Sequence, residues 1–97
     1  MLFRSIGGTA ALMKYLSSNI KYPTISQETG SQGKVIVQFV VDKDGTISNP
    51  EVVRGVDPYL DKEAIRVISS MPKWTPGVQN GKKVRVKFTV PVSFRLQ

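Results

Sequence analysis

The chain contains no cysteine and no histidine. That removes thiol nucleophiles, Ser-His dyads, disulfide staples and every metal site built on Cys or His. It leaves the redox compartment open, because reducing and oxidising spaces both tolerate a cysteine-free domain. Long hydrophobic runs are also missing. The longest, Val35–Val41, is interrupted by Gln38 and falls far short of the ~20 residues of a membrane helix. Met1–Phe3 is too short for the apolar region of a signal peptide. Acidic residues are absent from residue 64 onward, whereas Arg66, Lys73, Lys82, Lys83, Arg85, Lys87 and Arg95 all lie there. Residues 1–63 balance seven bases against seven acids, so the whole net charge of +7 sits in the last third. Such a field favours anionic partners, or serves as a solubilising face.

What is present suits one small globular domain. The chain has 97 residues, 40% of them apolar, which fits one modest core. Leu12, Leu16 and Ile20 recur at helical spacing after Gly8 or Thr9 as cap, and Tyr22-Pro23 ends that helix. Residues 24–33 are polar, carry Gly30 and Gly33, and read as a loop. Lys34–Asp42 reads as a strand. Val35, Val37, Phe39 and Val41 line one face, and the other face is half apolar, as in a central strand. Asp42-Lys43-Asp44-Gly45 forms a tight turn into the return strand Thr46–Arg54, where Pro50 implies an edge or a bulge. Asp57 caps a second helix with Pro58 at its first position, and Leu60, Ala64, Val67, Ile68 and Met71 form its apolar stripe. Pro72 stops it. Lys73–Lys83 reads as a connector with an Asn80-Gly81 turn, and Trp74 as a core anchor. From Val84 to Leu96 apolar and polar residues alternate strictly over thirteen positions, about 43 Å of strand at ~3.3 Å per residue.

These elements predict an α+β fold of order α-β-β-α-β. It has a three-stranded antiparallel sheet in the order second-first-third and two helices packed on one face. Phe39, Val67, Ile68, Trp74 and Phe88 are expected to share the core. The third strand is left as an uncovered edge.

No residue set reads as catalytic, cofactor-binding or metal-binding. Asp42-x-Asp44-Gly45 lacks the remaining ligands of a calcium loop. Asp61 and Glu63 point apart on a helix and read as helix-end electrostatics. Gly7-Gly8 and Gly30-x-x-Gly33 lack the context of a phosphate loop. The basic last strand leaves three readings open. It could bind nucleic acid, although no aromatic interleaves on its polar face. It could recruit an extended peptide as an added strand. It could also be a guarded edge that avoids aggregation. Pro91 has no N–H, so its parity should face away from the sheet. That assigns the amides of Arg85, Lys87, Thr89 and Ser93 to the free edge.

Several pieces occur together in order: Tyr22-Pro23, Gly33–Phe39, Asp44-Gly45, Val52-Val53-Arg54, Leu60–Ile65, Trp74-Thr75-Pro76-Gly77 and Val90–Phe94. In order and spacing this chain resembles the C-terminal domain of TonB-type energy transducers over residues 8–97. Residues 1–7 would then be an expression remnant or the end of a linker. The resemblance implies a non-enzymatic periplasmic domain of an inner-membrane-anchored protein, preceded by a membrane helix and a Pro-rich linker. It would work with an ExbB–ExbD-type motor driven by the proton gradient. Its partner would be the TonB box of outer-membrane TonB-dependent transporters, added as a strand to the last strand from Val84 on, at Arg85, Lys87, Thr89, Pro91 and Ser93. A second contact region would be Asn19, Ile20, Lys21 and Tyr22, without the glutamine found there in the best-known members. No cofactor and no nucleic acid enter this reading. A nucleic-acid module, or an assembly domain forming a homodimer by strand exchange through the same edge, is the alternative.

Overall fold

The computed structural model describes residues 9–96, apart from the side chains of Thr9 and Ala10. The reading of residues 1–7 as a remnant and the cap at Gly8 or Thr9 lie outside the described residues. In chain order the elements are α1 (Thr9–Asn19), α2 (Thr24–Thr29), β1 (Gly33–Val41), β2 (Ile47–Arg54), α3 (Pro58–Ser69), β3 (Gly77–Gln79), β4 (Lys82–Val84) and β5 (Val86–Phe94). The main sheet has the order β2-β1-β5, with both pairings antiparallel. The expected topology and the central place of β1 are therefore present.

Side-chain alternation explains the layers. Val35, Val37, Phe39 and Val41 are fully buried on one face of β1. Val90, Val92 and Phe94 continue that face on β5, and Leu12 and Leu16 of α1 with Leu60, Ala64, Val67 and Ile68 of α3 close over it. Trp74 is buried and packs edge-on against Phe39 at 5.5 Å between ring centroids. Phe88 is half-buried beside both rings, at 6.1 Å from Phe39 and 5.0 Å from Trp74. The opposite face, with Ile36, Gln38 and Val40, is half-buried.

The local signals act as their chemistry requires. Asp57 accepts from the Leu60 N–H at 2.7 Å as N-cap of α3, with Pro58 in the first turn. β2 is bulged: two register shifts flank Gln38, and Asn49 adopts φ 51° next to Pro50. At the β1–β2 turn Asp44 accepts from the Thr46 N–H at 3.0 Å and Gly45 takes φ 88°.

Two segments differ from expectation. Residues 24–29 form a six-residue helix, α2, where a loop was expected. It has no apolar stripe to announce it. It starts after Pro23 and is tied down by Ser26, whose buried hydroxyl donates to Asp57 at 3.1 Å. The thirteen-residue strand is also cut in two. Asn80 and Gly81, at φ 52° and 74°, make the two-residue turn that suits a hairpin. Lys82–Val84 then pair with Gly77–Gln79 instead of with β1. The edge strand begins at Val86, not Val84, and Arg85 is the joint between the two pairings.

Candidate partner-binding edge

β5 is an edge strand, and among the described residues no strand lies on its outer side. Which of its amides face outward follows from the hairpin. The Asp42 N–H donates to the Thr46 carbonyl at 2.8 Å, so the peptide groups of Asp42 point to β2. Alternation along β1 then turns those of Val41, Phe39, Val37 and Val35 towards β5. Their partners there are Val86, Phe88, Val90 and Val92. The N–H groups of Lys87, Thr89 and Ser93 point off the sheet. Pro91 pairs with Ile36 with no register shift, as a residue without an N–H can when its parity faces outward.

Beside this edge stands the C-terminal part of α1. A groove of about 70 Å³ runs between Met13, Leu16, Ser17 and Ile20 on one side and Pro91, Val92 and Ser93 on the other. Ile20 is thus brought to the edge. Tyr22 lies below it, its ring edge-on to Phe94 at 5.6 Å and its hydroxyl donating to the Ser31 carbonyl. Desolvation raises the Tyr22 pKa, with Asp57 adding to the effect. Asn19 and Lys21 are exposed, and their backbone is held from α3. The Lys21 N–H donates to Glu63 Oε2 at 2.7 Å, and Arg66 Nη2 donates to the Asn19 carbonyl at 2.9 Å.

Of the nine expected residues, Asn19, Lys21 and Tyr22 flank Ile20 in the chain, and the other six divide as follows. Ile20, Pro91 and Ser93 line one groove; Lys87 and Thr89 continue the same edge away from it. Arg85 is the exception: it lies outside the ladder, and its Nε donates to Asp42 Oδ1 at 2.9 Å. Glu63 also needs correcting. It is not a helix-end charge but a buried partner of Arg66. Burial pushes its carboxyl up, yet hydrogen bonds from Arg66 and Lys21 outweigh this and hold its pKa below the ordinary value. The spacing Glu63-x-x-Arg66, one helical turn, was the available signal. Met13, Leu16 and Ser17 were not anticipated as edge residues, since a helical stripe does not tell which strand it covers.

Residues 18–96 match the family described as Gram-negative bacterial TonB protein C-terminal. The chain belongs to that family. It is 33% identical over 85 residues to Protein TonB of Haemophilus influenzae, a match covering 84% of this chain and 32% of that protein. It is 26% identical over 83 residues to Protein TonB of Helicobacter pylori, covering 84% and 28%. The chain thus spans about a third of the curated relatives it matches. Two NMR solution structures of Helicobacter pylori TonB-CTD fragments share its fold. The shorter fragment has TM-score 0.69 at 24% identity, covering 90% of this chain and 91% of that one. The longer has TM-score 0.63 at 23% identity, covering 92% and 82%. Among the described residues no helix is long and apolar enough to cross a membrane.

Proposed function

We propose that this chain is the periplasmic end of a TonB-type energy transducer. It takes the TonB box of an outer-membrane TonB-dependent transporter as an added strand on β5. An ExbB–ExbD-type motor, reached through an inner-membrane anchor elsewhere in the protein, supplies the pull. The observation that carries this reading is the edge of β5, which no strand covers among the described residues, with the donors of Lys87, Thr89 and Ser93 turned outward. Ile20 and Tyr22 stand beside it. Strand addition suits a mechanical coupler. Backbone hydrogen bonds along one strand share a shear load, while each contributes only ~0.5–1.5 kcal/mol at equilibrium. The joint therefore holds briefly and releases. The reading assigns the domain no catalysis.

The test is titration of the isotope-labelled domain with plug-segment peptides from TonB-dependent transporters of the same genome. Amide shifts should concentrate at residues 87–93 and 20–22. Shifts confined to α3 would overturn strand addition. Concentration-dependent shifts at the same edge without peptide would point to strand exchange with a second copy.

A further inference from the structure

We infer that the β3–β4 hairpin docks the domain onto an anionic phospholipid surface, with Val78 entering the headgroup layer and the neighbouring lysines on the phosphates. The choice of lipid over other anions rests partly on the TonB-type reading above, which puts the domain beside a membrane.

The hairpin stands clear of the sheet. The β1–β5 ladder ends at the pair Val41–Val86. Lys82–Val84 lie before it in the chain and pair with Gly77–Gln79, so β3 and β4 extend past the end of β1. Their main packing is on each other. A Cβ on Gly77 would fall 2.5 Å from a Val86 methyl, so that face of the hairpin root lies against the sheet end. Val78 and Lys83 are paired on the other face. Val78 is 68% exposed, the most of any large hydrophobic among the described residues. Ser93 lies seven residues beyond Val86 along β5, about 24 Å at ~3.4 Å per residue. A surface held at the hairpin therefore leaves the groove beside Pro91 free.

This end of the molecule is cationic. Lys82 and Lys83 are exposed on the hairpin, with Arg85 and Lys87 after it and Lys73 before it. Lys43 stands near Arg85 from the β1–β2 turn. The acids here are Asp42 and Asp44, so the end carries +4. Asp42 is engaged by Arg85, and Asp44 takes hydrogen bonds from Thr46. Among the described residues the ion pairs are Arg85–Asp42 and Arg66–Glu63. Lys82 and Lys83 therefore keep their full charge for an outside anion.

The composition favours lipid over nucleic acid. Lysine stems can stretch along an interface and hold their charges at the headgroups while an apolar neighbour sinks between them. Five of the six bases at this end are lysines, point charges that meet scattered phosphates without a fixed bidentate geometry. The hairpin has no exposed aromatic to stack on a base, since Trp74 is buried.

The experiment sediments this chain with vesicles of phosphatidylcholine alone, and of equal parts phosphatidylcholine and phosphatidylglycerol. It should bind the anionic vesicles and not the neutral ones, and let go as salt rises. Lys82→Gln with Lys83→Gln should weaken binding by about fivefold per lysine. Lys34→Gln with Lys62→Gln removes the same charge from exposed sites on β1 and α3 and should weaken it far less. Val78→Thr keeps a strand-forming shape and should also weaken it. Equal losses for the two lysine pairs, or no loss with Val78→Thr, overturn the inference. Tighter binding to a DNA duplex than to the anionic vesicles at the same salt, lost with Lys82→Gln and Lys83→Gln, also overturns it and makes the hairpin a nucleic-acid site. If plug segments shift the β5 edge amides but the anionic vesicles bring down no protein, lipid docking is wrong and the TonB-type reading stands. If the vesicles bind through the hairpin while plug segments leave those amides unmoved, docking stands and strand addition is wrong.

Discussion

Glu63 Oε1 accepts a hydrogen bond from Arg66 Nε at 2.7 Å, one turn apart on α3. A second bond, Arg66 Nη2 to Glu63 Oε2, is also 2.7 Å. The fork grips the chain on both sides of Ile20, through the Lys21 N–H and the Asn19 carbonyl. One ion pair on the helix therefore sets where Ile20 stands beside β5.

Glu63→Gln keeps the shape but removes the charge that Arg66 and the Lys21 N–H both address. The expected loss is about 1.5–3 kcal/mol, the range for hydrogen bonds to a charged group. Urea unfolding measures it. Amide exchange at Lys21 should speed up by more than the global loss accounts for, because its acceptor is weakened. An unchanged midpoint and an unchanged Lys21 rate would count against the clamp.

The same carboxyl predicts a pH dependence. Its folded pKa is held below the ordinary 4.5, so the unfolded chain binds the proton first. The stability it contributes is complete above 4.5 and is lost as pH falls through the lower folded value. Asp57 shifts in the same direction, because hydrogen bonds from Leu60, Ser31 and Ser26 outweigh the upward push of burial. Asp44 is also lowered, chiefly by the Thr46 hydroxyl. Urea midpoints should be flat near neutrality and fall below 4.5. Glu63→Gln should make that fall shallower without abolishing it.

Phe39 is fully buried and its ring meets both Trp74 and Phe88. Truncation to alanine leaves a cavity that two bulky rings cannot easily fill. Phe39→Ala should cost ~3–5 kcal/mol, a large share of the ~5–15 kcal/mol available to a domain of this size. Thermal or urea unfolding would show it as a collapse of the midpoint.

Gly45 and Gly81 both take positive φ, at 88° and 74°, but their surroundings differ. A Cβ on Gly45 would lie 2.1 Å from the Trp74 carbonyl oxygen, and the Trp74 N–H donates to the Gly45 carbonyl at 2.8 Å. At Gly81 nothing lies within 4 Å. Gly81→Ala should cost only the left-handed strain of ~1–2 kcal/mol. Gly45→Ala should cost clearly more, because the turn and the Trp74 backbone must part. Comparable midpoints for the two variants would show that the contact yields cheaply.

Much of this was legible in the chain. Alternation exposed the buried face of β1, Asp57-Pro58 the start of α3, and Pro50 the irregular edge strand. Pro91 indicated the parity of the outer edge, and the unbroken pairing through Ile36 agrees with it. What was hidden depended on competition between neighbours. The pattern from Val84 is as regular as that from Val86, yet the register ending at Val41↔Val86 would set Val84 opposite Lys43 in the turn, beyond the end of β1, and the Asn80-Gly81 turn folds Lys82–Val84 onto Gly77–Gln79 instead. Glu63 looked like a helix-end charge because, besides Arg66, it is held by the Lys21 backbone N–H, which no side-chain pattern reports. α2 is too short to show a period at all.

The edge parity makes a last prediction that separates folding from binding. Thr89 turns its N–H off the sheet, while Val90 turns its own towards Val37. Proline at position 89 removes a donor the fold does not use, on an edge strand where proline is tolerated. Its neighbour Phe88 is already extended, as a residue before proline must be. Thr89→Pro should therefore melt within about 1 kcal/mol of the parent, near the usual range for surface changes. Val90→Pro breaks a ladder bond and empties a core position, and should unfold the domain or cost ~3 kcal/mol or more. With Thr89→Pro next to Pro91, the outer edge keeps donors only at Lys87 and Ser93, separated by about 20 Å at ~3.4 Å per residue. The outward carbonyls still accept, but two successive outward positions then lack a donor, so an added strand loses part of its ladder. Plug-segment peptides that shift the parent's edge amides should bind this variant clearly more weakly, although its own spectrum remains that of a folded protein. Full binding by Thr89→Pro would show that the outer edge of β5 is not where the partner pairs.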